Sequence, residues 1–203
     1  MLHWRDTYFQ TLRDVASEAR SARKWQDYAI FCEEYEQGLR PAAFATLDRF
    51  ISQIEKASFS ERREFVTWLL RRTDGSDGLN MVMPHPLHRR VVEPTLIEWT
   101  QVDSGCAEPY MWLGGYDNLK RALELNPNDD LIRRKLITLI LQRVNFGTHE
   151  LPAGYIGSPS EGIAALDEAQ ALSLRLASEA ERQELVTTIG EYKALIGAHL
   201  RSH

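Results

Sequence analysis

The chain predicts an all-α fold made of antiparallel helical hairpins, arranged as an orthogonal bundle or a short superhelix. Three observations carry that expectation. Apolar residues recur at helical spacings of three and four from Tyr8 to Ile196. Pro, Gly and Ser interrupt the pattern where helices start and stop. At Asn126-Pro127-Asn128 the periodicity halts and then resumes, as it does when one helix turns back into another.

The first helix is predicted over residues 4 to 22, with Tyr8, Leu12, Val15 and Ala19 on one face and Arg5, Asp14, Glu18 and Arg20 toward water. Residues 24 to 38 supply its partner through the broad stripe of Trp25, Tyr28, Ala29, Phe31, Cys32 and Tyr35, which reads as core. Gly38 ends that stripe. Pro41 starts the next helix because its missing N–H is harmless in a first turn. Phe44, Leu47, Phe50, Ile51 and Ile54 mark the inner side of this third helix, to about residue 57. Ser58 and Ser60 are caps for a fourth helix from Glu61, anchored by Phe65, Trp68 and Leu69.

Asp74-Gly75-Ser76-Asp77-Gly78 is the clearest break in the first half. The expectation is one helical domain over 1–203, with an internal boundary near 73–80 as the alternative. Residues 79 to 90, with Pro84 and Pro86, read as irregular. A short helix over 91 to 102 follows, carrying Leu96 and Trp99. Residues 119 to 141 read as a helical hairpin sharing Leu123 and Leu136. The stretch from 143 to 160 reads as a packed loop held by Phe146, Leu151, Tyr155 and Ile156. Ser158, Pro159 and Glu161 announce the next helix, with Glu161 returning a hydrogen bond to the cap, and Ser178 and Glu181 announce the last.

Tyr110-Met111-Trp112-Leu113-Gly114, with Tyr116 nearby, is similar to the first helix of a tetratricopeptide repeat. Ala122-Leu123-Glu124-Leu125-Asn126-Pro127 resembles the end of one repeat and Asn128-Asp129 the opening of the next. Residues 107–142, about one fifth of the chain, carry this resemblance. Either the unit is shortened or only its tail is repeat-like, because too little chain lies between Gly114 and Ala122 for two usual repeat helices. The resemblance implies stacked helical hairpins that bind proteins, and it implies no catalytic residues.

The 203 residues are 43% hydrophobic and 26% charged with a formal net charge of −5, the balance of an ordinary globular protein. That charge predicts neither a nucleic-acid nor an anionic-membrane partner. No apolar run reaches the roughly 20 residues needed to span a bilayer, and Met1 to Asp6 lacks the pattern of a secretory leader, so cytoplasmic residence is expected. Two cysteines make no disulfide framework. There is no phosphate-binding glycine loop, dinucleotide fingerprint or nucleophile elbow, and neither cofactor nor metal is expected.

The leading expectation is therefore a helical protein-binding module, an adaptor or a protein that neutralises another by covering its surface. Aromatic and arginine side chains concentrate contact energy, which singles out Tyr110, Trp112, Tyr116, Arg133 and Arg134. The rival is a small metal-dependent or acid/base enzyme using His85, His88, Glu93, His149 or Glu150. A structural subunit that self-associates is the third reading.

Overall fold

The computed structural model describes residues 4–75 and 79–202, and the side chains of residues 4–8 and 202 lie outside that description. Tyr8, placed by the sequence on the first apolar face, and Ser76, Asp77 and Gly78 of the predicted loop thus lie outside the described side chains. The described residues are helical and contain no strand, as the periodicity predicts. Among them, no helix is long and apolar enough to cross a membrane. The chain divides into two compact units, Met1–Ser104 and Gly105–His203.

In the first unit, α1 (Trp4–Ser21) packs on α2 (Gln26–Glu36), and α2 packs on α3 (Arg40–Ile54). Leu12, Val15 and Ala19 of α1 are buried at the spacing that predicted the helix. Gly38 carries the chain out of α2 at φ 79°, a left-handed conformation that favours glycine, and Pro41 sits in the first turn of α3. A capping box starts α4 (Phe59–Thr73). Ser58 Oγ accepts from the Glu61 N–H, and the Ser58 N–H donates to Glu61 Oε2 at 3.0 Å. Helix α4 therefore begins two residues before the expected Glu61.

Aromatic rings fill this core. Tyr28, Phe50 and Phe65 lie with centroids 4.8 to 5.4 Å apart, within the range where tilted and edge-on rings attract. Cys32 is buried among them, and that burial pushes its thiol far up, so it acts as a small apolar group rather than a nucleophile.

The segment after residue 78 is more helical than its prolines suggested. It forms α5 (Leu79–Val82), α6 (His85–Leu87), a π-helical stretch (His88–Val92) and α7 (Glu93–Val102). Pro84 is the N-cap of α6, Pro86 lies in its first turn and Pro94 lies in the first turn of α7. Val82, Leu87, Val91, Val92, Leu96 and Trp99 are buried. Tyr28 also donates its hydroxyl to the Val82 carbonyl at 2.7 Å, and α7 packs on α4. These contacts return the segment to the first unit, so the division falls at Ser104–Gly105 and not at the 73–80 loop.

The second unit comprises α8 (Ala107–Leu113), α9 (Tyr116–Leu125), α10 (Asp130–Thr148), α11 (Pro159–Ser173) and α12 (Glu179–Ser202). Gly114 and Gly115, at φ 67° and 75°, separate α8 from α9, so Tyr110 and Tyr116 belong to two helices. Asn126-Pro127-Asn128 forms the predicted turn. Asp129 then caps α10, its Oδ1 accepting from the amides of Leu131 at 2.9 Å and Ile132 at 3.2 Å. Helices α9 and α10 pack together, with Leu123 set against the core that contains Leu136, as the hairpin expectation requires. Helix α11 covers α10, and α12 packs on both.

Candidate functional site

A cleft of about 760 Å³ opens in the second unit, within the size range of small-molecule and side-chain pockets. It follows from the helical register of α10 and α11. On α10, Ile132, Leu136, Ile140 and Val144 recur every fourth residue and face the core, while Leu139 and Arg143 lie beside that stripe and line the cleft. On α11, Leu166, Ala169 and Leu172 are buried, and the small Ala164 and Ala165 line the opposite wall. Two alanines where leucines would meet α10 leave the space open.

The strap from 149 to 158 bounds the cleft at one end. The sequence assigned 143 to 160 to a loop, but α10 runs through Thr148, because Val144, Gly147 and Thr148 still have buried positions. The strap folds back on that helix end through the Ile156 N–H, which donates to the Gly147 carbonyl at 2.9 Å. Of the four expected anchors, Tyr155 and Leu151 are half-buried. Phe146 is 65% exposed and Ile156 is 41% exposed, so those two are not anchors.

Tyr155 pins the strap because two helices lack side chains beneath it. A Cβ at Gly147 would stand 2.6 Å from the phenol oxygen, and one at Gly162 would overlap it. Desolvation is the main reason that the Tyr155 phenol is held above its ordinary range, with Arg143 opposing and Glu161 adding to the rise. Gly162→Ala is expected to lower stability by about 1–3 kcal/mol, the usual cost of overpacking. It should also speed amide exchange across 149–157. Mass-spectrometric hydrogen exchange that leaves this segment as protected as before would show that Tyr155 is not the pin.

At the other end, Tyr116 and Lys120 of α9 converge on Glu168 of α11. The Tyr116 hydroxyl donates to Oε2 and the Lys120 ammonium to Oε1, each at 2.6 Å. Partial burial pushes the Glu168 carboxyl up, but the hydrogen bonds from Lys120 and Tyr116 together outweigh it and hold the group below its usual range. Glu168 is thus ionised and satisfied within the protein.

The five predicted contact residues separate. Tyr116 is 41% exposed and lines the cleft. Tyr110 and Trp112 are half-buried against the core, and Lys135 lies 4.8 Å from the Trp112 ring centroid. Arg134 is engaged with Glu181 at 2.6 Å. Arg133 is only 3% exposed, which removes it from any docking surface. Its guanidinium donates to the Asp130 carboxylate and to the Pro127 carbonyl, bracing the turn that opens α10. Asp130 in turn accepts from the Ala177 N–H at 2.9 Å, tying that turn to the α11–α12 connection. Arg133 and Arg134 were both expected at a contact surface because arginine concentrates contact energy. Helical geometry instead puts neighbouring residues about 100° apart, so one points in and the other out.

The residues of the enzymatic alternative are divided between the two units. His85, His88 and Glu93 belong to the first unit, His149 and Glu150 to the second, and Glu93 accepts from Arg89 at 2.6 Å. Among the described residues, no three of His, Cys, Asp and Glu are grouped so as to hold a metal ion. Arg143, Phe146 and Glu161 were not legible as site residues, since what brings them together is the crossing of α10 and α11.

No known protein family matches the chain, and no curated protein or solved structure matches it either.

Proposed function

We propose that the chain is a protein-interaction module, an adaptor or neutralising partner, whose docking face is the rim of the α10–α11 cleft. One observation carries this reading. Tyr116, Phe146 and Ile156, all large and apolar, are each more than a third exposed and all line the same concavity. Exposed apolar residues scattered singly need no explanation, whereas several around one hollow mark a contact surface. The resemblance of residues 107–142 to a tetratricopeptide repeat supports the reading, since it implies stacked hairpins that bind proteins. Tyr116 remains from the sequence-derived set, Arg133 is withdrawn, and Phe146 and Ile156 join it. Cytoplasmic residence belongs to the same proposal.

A photoreactive phenylalanine analogue at position 146 should yield a specific adduct with one protein in cells. The same analogue at Leu174, 60% exposed but outside the cleft lining, should not. With that partner purified, Phe146→Asp should weaken binding at least about tenfold in calorimetry while leaving the thermal melt unchanged. Equal affinity across Tyr116, Phe146 and Ile156 variants would remove the proposed face. Metal-dependent turnover lost on changing His85, His88 or His149 would move the protein to the enzyme class.

A further inference from the structure

The strap end of the cleft differs chemically from the end at Glu168. Glu168 already accepts from both Tyr116 and Lys120. Arg143, by contrast, lines the cleft, is exposed, and has neither a hydrogen bond nor an ion pair among the described residues. Tyr155 lines the same end, and its hydroxyl also has no hydrogen-bond partner among the described residues. A guanidinium offers a planar fork of donors matched to a carboxylate. A phenol held above its ordinary range by desolvation stays a donor at neutral pH.

One anionic group faces them. Glu161 lines the cleft in the first turn of α11, and among the described residues its carboxylate does not return the hydrogen bond expected toward Ser158, whose Oγ accepts from the Glu161 N–H. Among the described residues, this end therefore holds two donors without partners and one free acceptor. A single carboxylate can meet both donors, whereas a dianion would add repulsion from Glu161. Leu139, Ile140, Val144, Ala164 and Ala165 give the lining an aliphatic part that suits an unbranched apolar tail.

We propose that this cleft binds a small amphipathic monocarboxylate, a fatty-acid-like molecule, with its carboxylate on Arg143 and Tyr155 and its tail between α10 and α11. The site does not depend on protein docking at the rim and can be tested on the purified chain alone.

The probe is sodium decanoate, titrated by calorimetry, with decanol and decylamine as the neutral and cationic counterparts. One decanoate should bind per chain, more tightly than either counterpart. Arg143→Gln should weaken decanoate about tenfold, the loss of one charge-assisted hydrogen bond, without changing decanol affinity. Glu161→Gln should tighten decanoate several-fold. Ala164→Phe, at an exposed position of the wall, should abolish binding of all three probes while the helical circular-dichroism signal persists. Decanoate affinity that is unchanged in Arg143→Gln overturns the proposal. So does decylamine binding that exceeds decanoate binding and is lost in Glu161→Gln, and so does the absence of saturable decanoate binding to the wild-type chain.

Discussion

Leu136→Ala is expected to destabilise the second unit by about 2–5 kcal/mol, a large part of the stability of a small helical unit. Leu136 has no exposed surface and shares a cluster with Ile132, Ile140, Val144, Leu166 and Ala169, so removing its Cγ and two Cδ methyls would leave a void walled from two helices. The size within that range depends on how far α11 can move in. Ala169, already minimal and fully buried, has no side chain that could swing into the gap, which favours the upper half. Urea denaturation followed by hydrogen exchange in α10 and α11 measures the loss where it occurs. A change under about 1 kcal/mol would mean that the two helices are not packed through this residue.

Phe65→Ala is expected to be at least as damaging in the first unit, by about 3–5 kcal/mol. Phe65 has no exposed surface and meets four rings, with centroids at 4.8 Å for Phe50, 5.1 Å for Tyr28, 5.5 Å for Trp25 and 5.9 Å for Trp68. Truncation removes the ring's transfer free energy and also its edge-to-face partners at once. Trp25 and Trp68 report the change directly, since their stacked pair, 4.7 Å apart, borders the cavity. The near-ultraviolet dichroism of the native protein should fall along with the denaturation midpoint. An unchanged midpoint would mean that Phe65 of α4 is not packed among these rings.

What was readable in the sequence is what a few neighbouring residues decide. Ser58 before α4, Ser158 with Pro159, and Gly38 at the end of α2 act within one turn of chain, so these caps and helix ends could be named without a fold. The buried stripes through Leu12, Val15 and Ala19, and through Leu166, Ala169 and Leu172, are equally local, because a helix repeats its face every three to four residues. Pro84 and Pro86 misled because proline forbids a helix interior but not an N-cap or a first turn, and the start of α6 uses both of those places.

The tertiary structure decided everything that depends on which residues a given face meets. Leu136 and Leu139 are both apolar and three residues apart on α10, yet one is sealed under α11 and the other lines the cleft, because the opposing wall carries alanines at 164 and 165. Arg133 and Arg134 are chemically identical, and only the turn at Pro127 and the side chain of Asp130 draw the first inward while Glu181, 47 residues away in sequence, holds the second at the surface. Tyr155 reads as a generic loop anchor until α10 and α11 bring Gly147 and Gly162 against its hydroxyl end. Local sequence determines a helix's ends and its apolar face, because both are settled within a turn or two of backbone. A cleft, a buried cation and a pinned strap arise from contacts between distant segments, and those exist only once the helices have packed.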